Sequence, residues 1–162
     1  MSLGHILPLS FFQWCQQSSV SLYIHESMWA FAVTETIHIV CLAILLGSTL
    51  MIDLRLLGKG MTREPVAELS KTLLPWIWST LVVNVITGIM MFDSEAVKLS
   101  QSGPFFFKMI FLFLAVLFHL TVHRKVTASD AKEGTGSAKL AASLSLGCWL
   151  SVALAGRAIA FF

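Results

Sequence analysis

The chain has 162 residues, of which 56% are hydrophobic and only 12% charged, with a formal net charge of +2. A soluble domain carries about 25% charged residues, so the charge here is too sparse to cover a water-exposed globule. That excludes a soluble enzyme, a nucleic-acid-binding domain and a disordered chain, and leaves one integral membrane domain over residues 1–162. The three cysteines, Cys15, Cys41 and Cys148, are odd in number and far apart, which suggests neither a disulfide framework nor a zinc pattern.

The N-terminal stretch has no basic region and no small-residue cleavage site, so it does not read as a signal peptide. From Leu9 to Tyr23 it mixes Phe11, Phe12, Trp14 and Tyr23 with glutamines and serines, which suits a segment lying in the headgroup layer. A hydrocarbon core of about 30 Å needs about 20 mostly apolar residues per helix. Four stretches qualify. The predicted spans run from about Met28 to Ile52, Leu73 to Phe92, Pro104 to Val122 and Ala138 to Ala160. Pro75 is expected in the first turn of the second, where its missing N–H costs nothing. The fold expected is an all-α, four-helix transmembrane bundle with an N-terminal interfacial segment.

Direction follows from Lys and Arg. The first loop carries Arg55, Lys59, Arg63 and Lys71, the second only Lys98, and the third, with the start of the last helix, Arg124, Lys125, Lys132 and Lys139. Basic residues favour the cytoplasm, so both termini are expected outside. The third loop, Ser129 to Ser137, reads as a flexible linker.

Ionisable groups inside a span normally face the bundle interior or water. At about 100° per residue, Glu35, His38, Thr49 and Asp53 fall on one face of the first helix, with Cys41 at its edge. The second helix aligns Trp76, Thr80, Asn84 and Thr87, followed by Gly88. The third puts Lys108, His119 and His123 on one stripe, with Ala115 between them. The fourth carries Arg157 near its outer end and a ridge of Ser143, Gly147, Ser151 and Ala155, which permits close helix approach. Each helix thus has polar groups for a common interior.

His38 reads as a haem or copper ligand, a proton relay or a hydrogen-bonded packing residue. Glu35, one turn away, is placed to fix its tautomer. His119 and His123, four apart, are candidate ligands on the facing helix, and Lys108 or Arg157 would pair with haem propionates near the outer surface. Depth is the constraint. His38 and His119 are expected to differ by about 8 Å, and His38 and His123 by about 13 Å. One haem needs its two imidazoles at nearly one level; the alternative is two haems, with His25 as a further outer candidate. Copper is a second option, from Glu35, His38 and Cys41 at three-residue spacing with Met28, Met90 and Met91 near the outer face. A proton or ion path through Glu35, Lys108, His38, His119, His123 and Asp53 is a third. Structural pairing of Glu35 with Lys108 and of Asp53 with His123 is the simplest account of the stripe. No Gly-rich phosphate loop or nucleophile elbow is present.

The chain resembles a family of short, uncharacterised bacterial four-helix membrane proteins, similar in layout to copper-resistance D-type membrane domains. The resemblance covers nearly the whole chain. It is carried by HESMW (His25 to Trp29), ETIHIVCLAILLGSTLMIDLRLLG (Glu35 to Gly58), LLPWIW (Leu73 to Trp78), TGIMMF (Thr87 to Phe92), PFFFK (Pro104 to Lys108), the His123-Arg124 pair and SLGCWLSVALAGRAIAFF (Ser145 to Phe162). Glu35, His38, Asp53, Arg55, Lys108, His123 and Arg157 match that pattern. His119 departs from it, since the family more often has a small amide near this point, where Phe118 stands. The resemblance therefore favours His38 with His123, and implies metal or redox work at the periplasmic face.

Taken together, these readings lead to the expectation of a haem-b-binding protein of the bacterial inner membrane. It would be a cytochrome-like electron carrier with His38, His123 and His119 as candidate ligands and Glu35, Arg157 and Lys108 around the cofactor. Its expected partners are the lipid bilayer, further copies of itself and a redox partner. The alternatives are a non-redox assembly protein with a structural polar stripe, and a copper or proton transport element.

Overall fold

The computed structural model describes residues 8–60, 65–123 and 135–158, without the side chains of His25, Met28, Val122 and His123. Two short helices, α1 (Leu9–Gln16) and α2 (Ser19–Glu26), precede the first long one, α3 (Met28–Leu56). Then come α4 (Val66–Ser94), the short α5 (Ala96–Gln101), α6 (Gly103–Phe118) with a π-helical turn over His119–His123, and α7 (Gly136–Ala158). The four long helices, α3, α4, α6 and α7, are long and apolar enough to cross a membrane. The protein is an all-α four-helix bundle of the multi-pass membrane type.

Serine starts three of the helices. The hydroxyls of Ser18, Ser27 and Ser102 accept from the backbone N–H of Ser21, Ala30 and Phe105, at 3.1, 3.3 and 3.4 Å. Each satisfies a donor that the first turn leaves without an intrahelical partner. At the far end of α3 the chain leaves through a Schellman turn. Lys59 N–H donates to Leu54 C=O at 2.8 Å and Gly58 N–H to Arg55 C=O at 3.0 Å. Gly58 takes φ +76°, the left-handed conformation that such a stop requires and that lacks a steric cost in glycine.

Three boundaries differ from the sequence expectation. α3 continues four residues past Ile52, to Leu56. α4 begins at Val66, after Pro65, so Pro75 lies inside the helix rather than in its first turn. The two turns before it, with Glu68, Lys71 and Thr72, are polar and stand beyond the apolar span. The Lys71 carbonyl that Pro75 leaves without an N–H partner thus sits on an exposed residue. The loop before α6 contains α5, too short and polar to register as periodicity. The segment expected at the interface forms α1 and α2, while the last predicted residues of the fourth span, 159 and 160, lie outside the described residues.

Side-chain pairings fix an up-down-up-down arrangement. Residues early in α3 meet residues late in α4 (His38 with Thr87), Phe92 of α4 stacks on Phe105 of α6 at 5.4 Å, and Trp78 of α4 meets His119 at 6.3 Å. α3 packs closely on α4, α6 on α7, and α7 on α3. α4 and α6 meet through those aromatic rings. One end of the bundle is capped by α1, α2 and α5; the other carries the basic loop after α3. The main apolar core lies from mid-bundle toward the basic end and includes Leu45, Ile52, Leu56, Ile77, Ala115, Ala142 and Trp149. Trp149 shares this core with the small Ala115 and Ala142, and mixing large with small side chains lets helices interlock.

The cap has its own small core of Phe12, Cys15 and Ala96, backed by Phe92 and Val97. Ser21 ties it down by donating to the Asp93 carbonyl at 3.0 Å. Burial, and then the Asp93 charge, push the Cys15 thiol pKa up, so it stays protonated and unreactive at neutral pH. We predict that Phe12→Ala undocks α1. In a background with Cys41 and Cys148 replaced by serine, the rate of maleimide labelling at Cys15 should rise at least about tenfold. An unchanged rate would show that the cap does not depend on Phe12.

Candidate functional site

The polar faces expected of α3, α4 and α6 turn inward over much of their length. On α4, Thr80, Asn84 and Thr87 are buried, whereas Trp76, counted on the same side from the sequence, is 58% exposed. On α3, Thr34, Leu45, Ser48, Thr49, Ile52 and Asp53 are buried, with His38 and Cys41 half-buried between them. On α6, Phe105, Ala115 and His119 are buried and Lys108 half-buried, a three-four spacing that keeps one seam facing the bundle.

The centre of the capped half is His38. Its Nδ1 lies 2.8 Å from Thr87 Oγ1. The Thr87 hydroxyl has one proton, and it is directed at the Val83 carbonyl at 2.8 Å, with the Asn84 carbonyl at 3.3 Å. Thr87 Oγ1 is therefore the acceptor, and His38 Nδ1 carries the hydrogen. Neutral imidazole has one N–H and one lone pair, so the lone pair sits on Nε2. This is the tautomer of an imidazole prepared to act as a ligand or acceptor through Nε2, with its other nitrogen held from outside. Gly88, one residue on, leaves the room the ring needs: a Cβ there would lie 3.4 Å from His38 Cε1.

Lys108 lies near enough for its charge to act on His38. Its ammonium makes no hydrogen bond or ion pair with a described residue. Gly156 on α7 makes space for it, since a Cβ there would lie 3.8 Å from Lys108 Nζ. Asn84 donates from Nδ2 to the Thr80 carbonyl at 3.1 Å, while its Oδ1 is buried with no hydrogen-bond partner. The capped half of the bundle thus holds an oriented imidazole, a cation with no partner among the described residues, and an unsatisfied acceptor.

Other sequence candidates lie elsewhere. Glu35 is exposed, so the partner of the His38 ring is Thr87 rather than the expected carboxylate. Arg157 is exposed on the last turn of α7. His119 is buried at the basic end against Trp78, and the His123 side chain lies outside the described residues. α4 serves as a ruler, because Trp78 and Thr87 are nine residues apart, about 14 Å of helix. His38 and His119 therefore meet α4 about 14 Å apart along its axis, more than the counted 8 Å. Glu35, His38 and Cys41 do not assemble. Among the described residues, no three His, Cys, Asp or Glu side chains group as metal ligands. The Ser143–Ala155 ridge faces outward, with Ser143 and Gly147 exposed.

Replacing Thr87 with Val keeps the shape and removes the acceptor. We predict that Thr87→Val abolishes the Nδ1–H tautomer preference of His38, read by ¹⁵N NMR of labelled histidine. It should also lower stability by about 0.5–1.5 kcal/mol, the net worth of a hydrogen bond. Thr87→Ser should restore both. An unchanged imidazole spectrum in Thr87→Val would remove Thr87 as the orienting group.

No curated protein and no solved structure matches this chain, so the comparison that bears on it is with family models. One of these, described as a family of unknown function (DUF6644), matches residues 11–162, nearly the whole chain and all four spanning helices. The chain belongs to that family.

Proposed function

We propose that the protein holds one haem b in the capped half of the bundle, with His38 as its axial ligand, and carries electrons in the membrane. The observation that carries this reading is the His38–Thr87 hydrogen bond, which leaves the Nε2 lone pair uncommitted inside an apolar helix bundle. When bound, haem b supplies reversible one-electron transfer; the protein sets its ligation, burial and electrostatics.

The residues present suit such a group in three ways. His38 provides the nitrogen, and Thr87 fixes the ring's orientation. Lys108, without a partner among the described residues and close enough for its charge to act on His38, would neutralise a propionate, and with it the cost of a partly buried cation. Gly88 and Gly156 keep backbone, rather than side chains, next to the imidazole and the ammonium. Because His38 and His119 meet α4 at separate levels, this reading has His38 alone hold the group. Arg157, at the same end, is a further propionate candidate.

The experiment is purification from membranes followed by reduced-minus-oxidised spectra and a pyridine haemochrome assay. The reading expects a Soret band that shifts on adding carbon monoxide to the reduced form. His38→Ala should lose haem, His119→Ala should keep it, and Lys108→Gln should lower occupancy. A folded protein without haem overturns it.

One observation favours a second reading, a non-redox assembly element. Thr80, Asn84 and Thr87 each return a hydrogen bond to a carbonyl of α4 itself, so much of that stripe is self-satisfied. This reading expects a colourless protein in which His38→Ala remains folded but less stable.

A further inference from the structure

A groove of about 570 Å³ opens at the capped end, between α2 and the first turns of α3, with Met90 of α4 lining it too. It falls within the roughly 300–1,000 Å³ typical of small-molecule sites. Its apolar lining includes Val20 and Ile24 from α2 and Ala30 and Val33 from α3. Two aromatic rings, Tyr23 and Trp29, also line it and are 68% and 83% exposed. We infer that this groove binds the head of an isoprenoid quinone, with its tail running into the lipid.

The argument is one of charge and shape. No described residue lining the groove is charged, so a fatty acid or phospholipid headgroup finds no counter-charge there. What the lining offers is hydroxyls. Those of Ser19 and Tyr23 have no hydrogen bond to a described residue. Ser27 accepts from Ala30 N–H and keeps its own proton to give. Thr34 is spent on the Ala30 carbonyl at 2.8 Å. Hydroxyl donors beside large exposed rings match a planar, neutral molecule whose polar atoms are carbonyl acceptors. A quinone ring has that chemistry. Thr34 is four residues from His38, about 6 Å along α3, so a head seated there lies one helical turn from the imidazole. The binding stands apart from the haem reading; only the purpose of that closeness rests on it.

The test therefore uses the full chain as purified in detergent, with or without haem, titrated with decylubiquinone and read by tryptophan fluorescence. Binding should give saturable quenching whose saturable part is lost in Trp29→Phe and retained in Trp76→Phe at the other end of the bundle. Tyr23→Phe with Ser19→Ala should weaken it about threefold to tenfold, the loss expected for hydrogen bonds of this kind. Ala30→Phe, which fills the groove, should abolish both the quenching and any rise in Tm on adding the quinone. Quenching that is linear in quinone, or unaltered by Trp29→Phe and Ala30→Phe, overturns the proposal. So does displacement by equimolar palmitate or phosphatidylglycerol, which would make the groove a general acyl-chain site.

Discussion

Hydrocarbon offers no hydrogen bonds, and the placement of polar groups in this bundle follows from that constraint. Most of the hydroxyls within the long helices answer it locally. Thr34, Thr36, Thr49, Thr80, Thr121 and Ser151 each donate to a carbonyl one turn back on their own helix. Such a side chain is neutral to the bundle: it needs no neighbour and specifies none. An imidazole is different. It carries a donor and an acceptor on a rigid ring, and at His38 the donor is satisfied by a hydroxyl of the adjacent helix. That bond sets the register of α3 on α4 and fixes the tautomer of the ring in one step. The side-chain chemistry of the capped half depends on it.

The bundle is divided along its length. Toward the basic end an apolar core of Leu45, Ile52, Leu56, Ile77 and Trp149 shares the interior with the buried Thr49, Asp53, Arg55 and His119. Toward the cap, polar groups enter between the helices: His38, Asn84, Thr87 and Lys108. The aromatic contacts lie at the two ends of the seam between α4 and α6, Phe92 on Phe105 at one and Trp78 on His119 at the other. The bulky rings occupy the space where these two backbones stand apart. Glycine at 88 and 156 has the opposite effect, keeping space free where the imidazole and the ammonium lie.

The spans were legible in the sequence because scarcity of charge is a strong signal, and the inward faces of α4 and α6 because helical periodicity is regular. What periodicity cannot supply is the extent of a neighbouring helix. Glu35 and Asp53 make the same angle with His38 on a helical wheel, yet Glu35 is exposed and Asp53 fully buried. The same angle faces different surroundings at the two ends of α3. Thr87 was on the counted stripe of α4, but its role as acceptor depends on where its single proton goes, which requires coordinates. Pro75 misled for a related reason. The polar turns from Val66 to Thr72 carry no hydropathy signal, so the proline seemed to open a helix that begins at Val66, well before it.

Lys108 is the residue that the bundle alone explains least. A lysine in an apolar helix is costly, and the usual remedies are an acidic partner or an extended side chain reaching the interface. Glu35, the carboxylate proposed from the sequence, faces away, and Lys108 has no ion pair with any described residue. Its ammonium instead lies by Gly156, where the absence of a side chain leaves room beside it, within reach of His38 for its charge to act. Glycine at that position weakens α7 slightly as a helix. A packing role alone would be met better by a leucine at 108 and an alanine at 156. A cation with space around it, beside an imidazole whose free nitrogen is fixed, makes physical sense when an anionic group completes the site. That is why the functional reading rests on the pair His38 and Lys108 rather than on the number of histidines in the membrane.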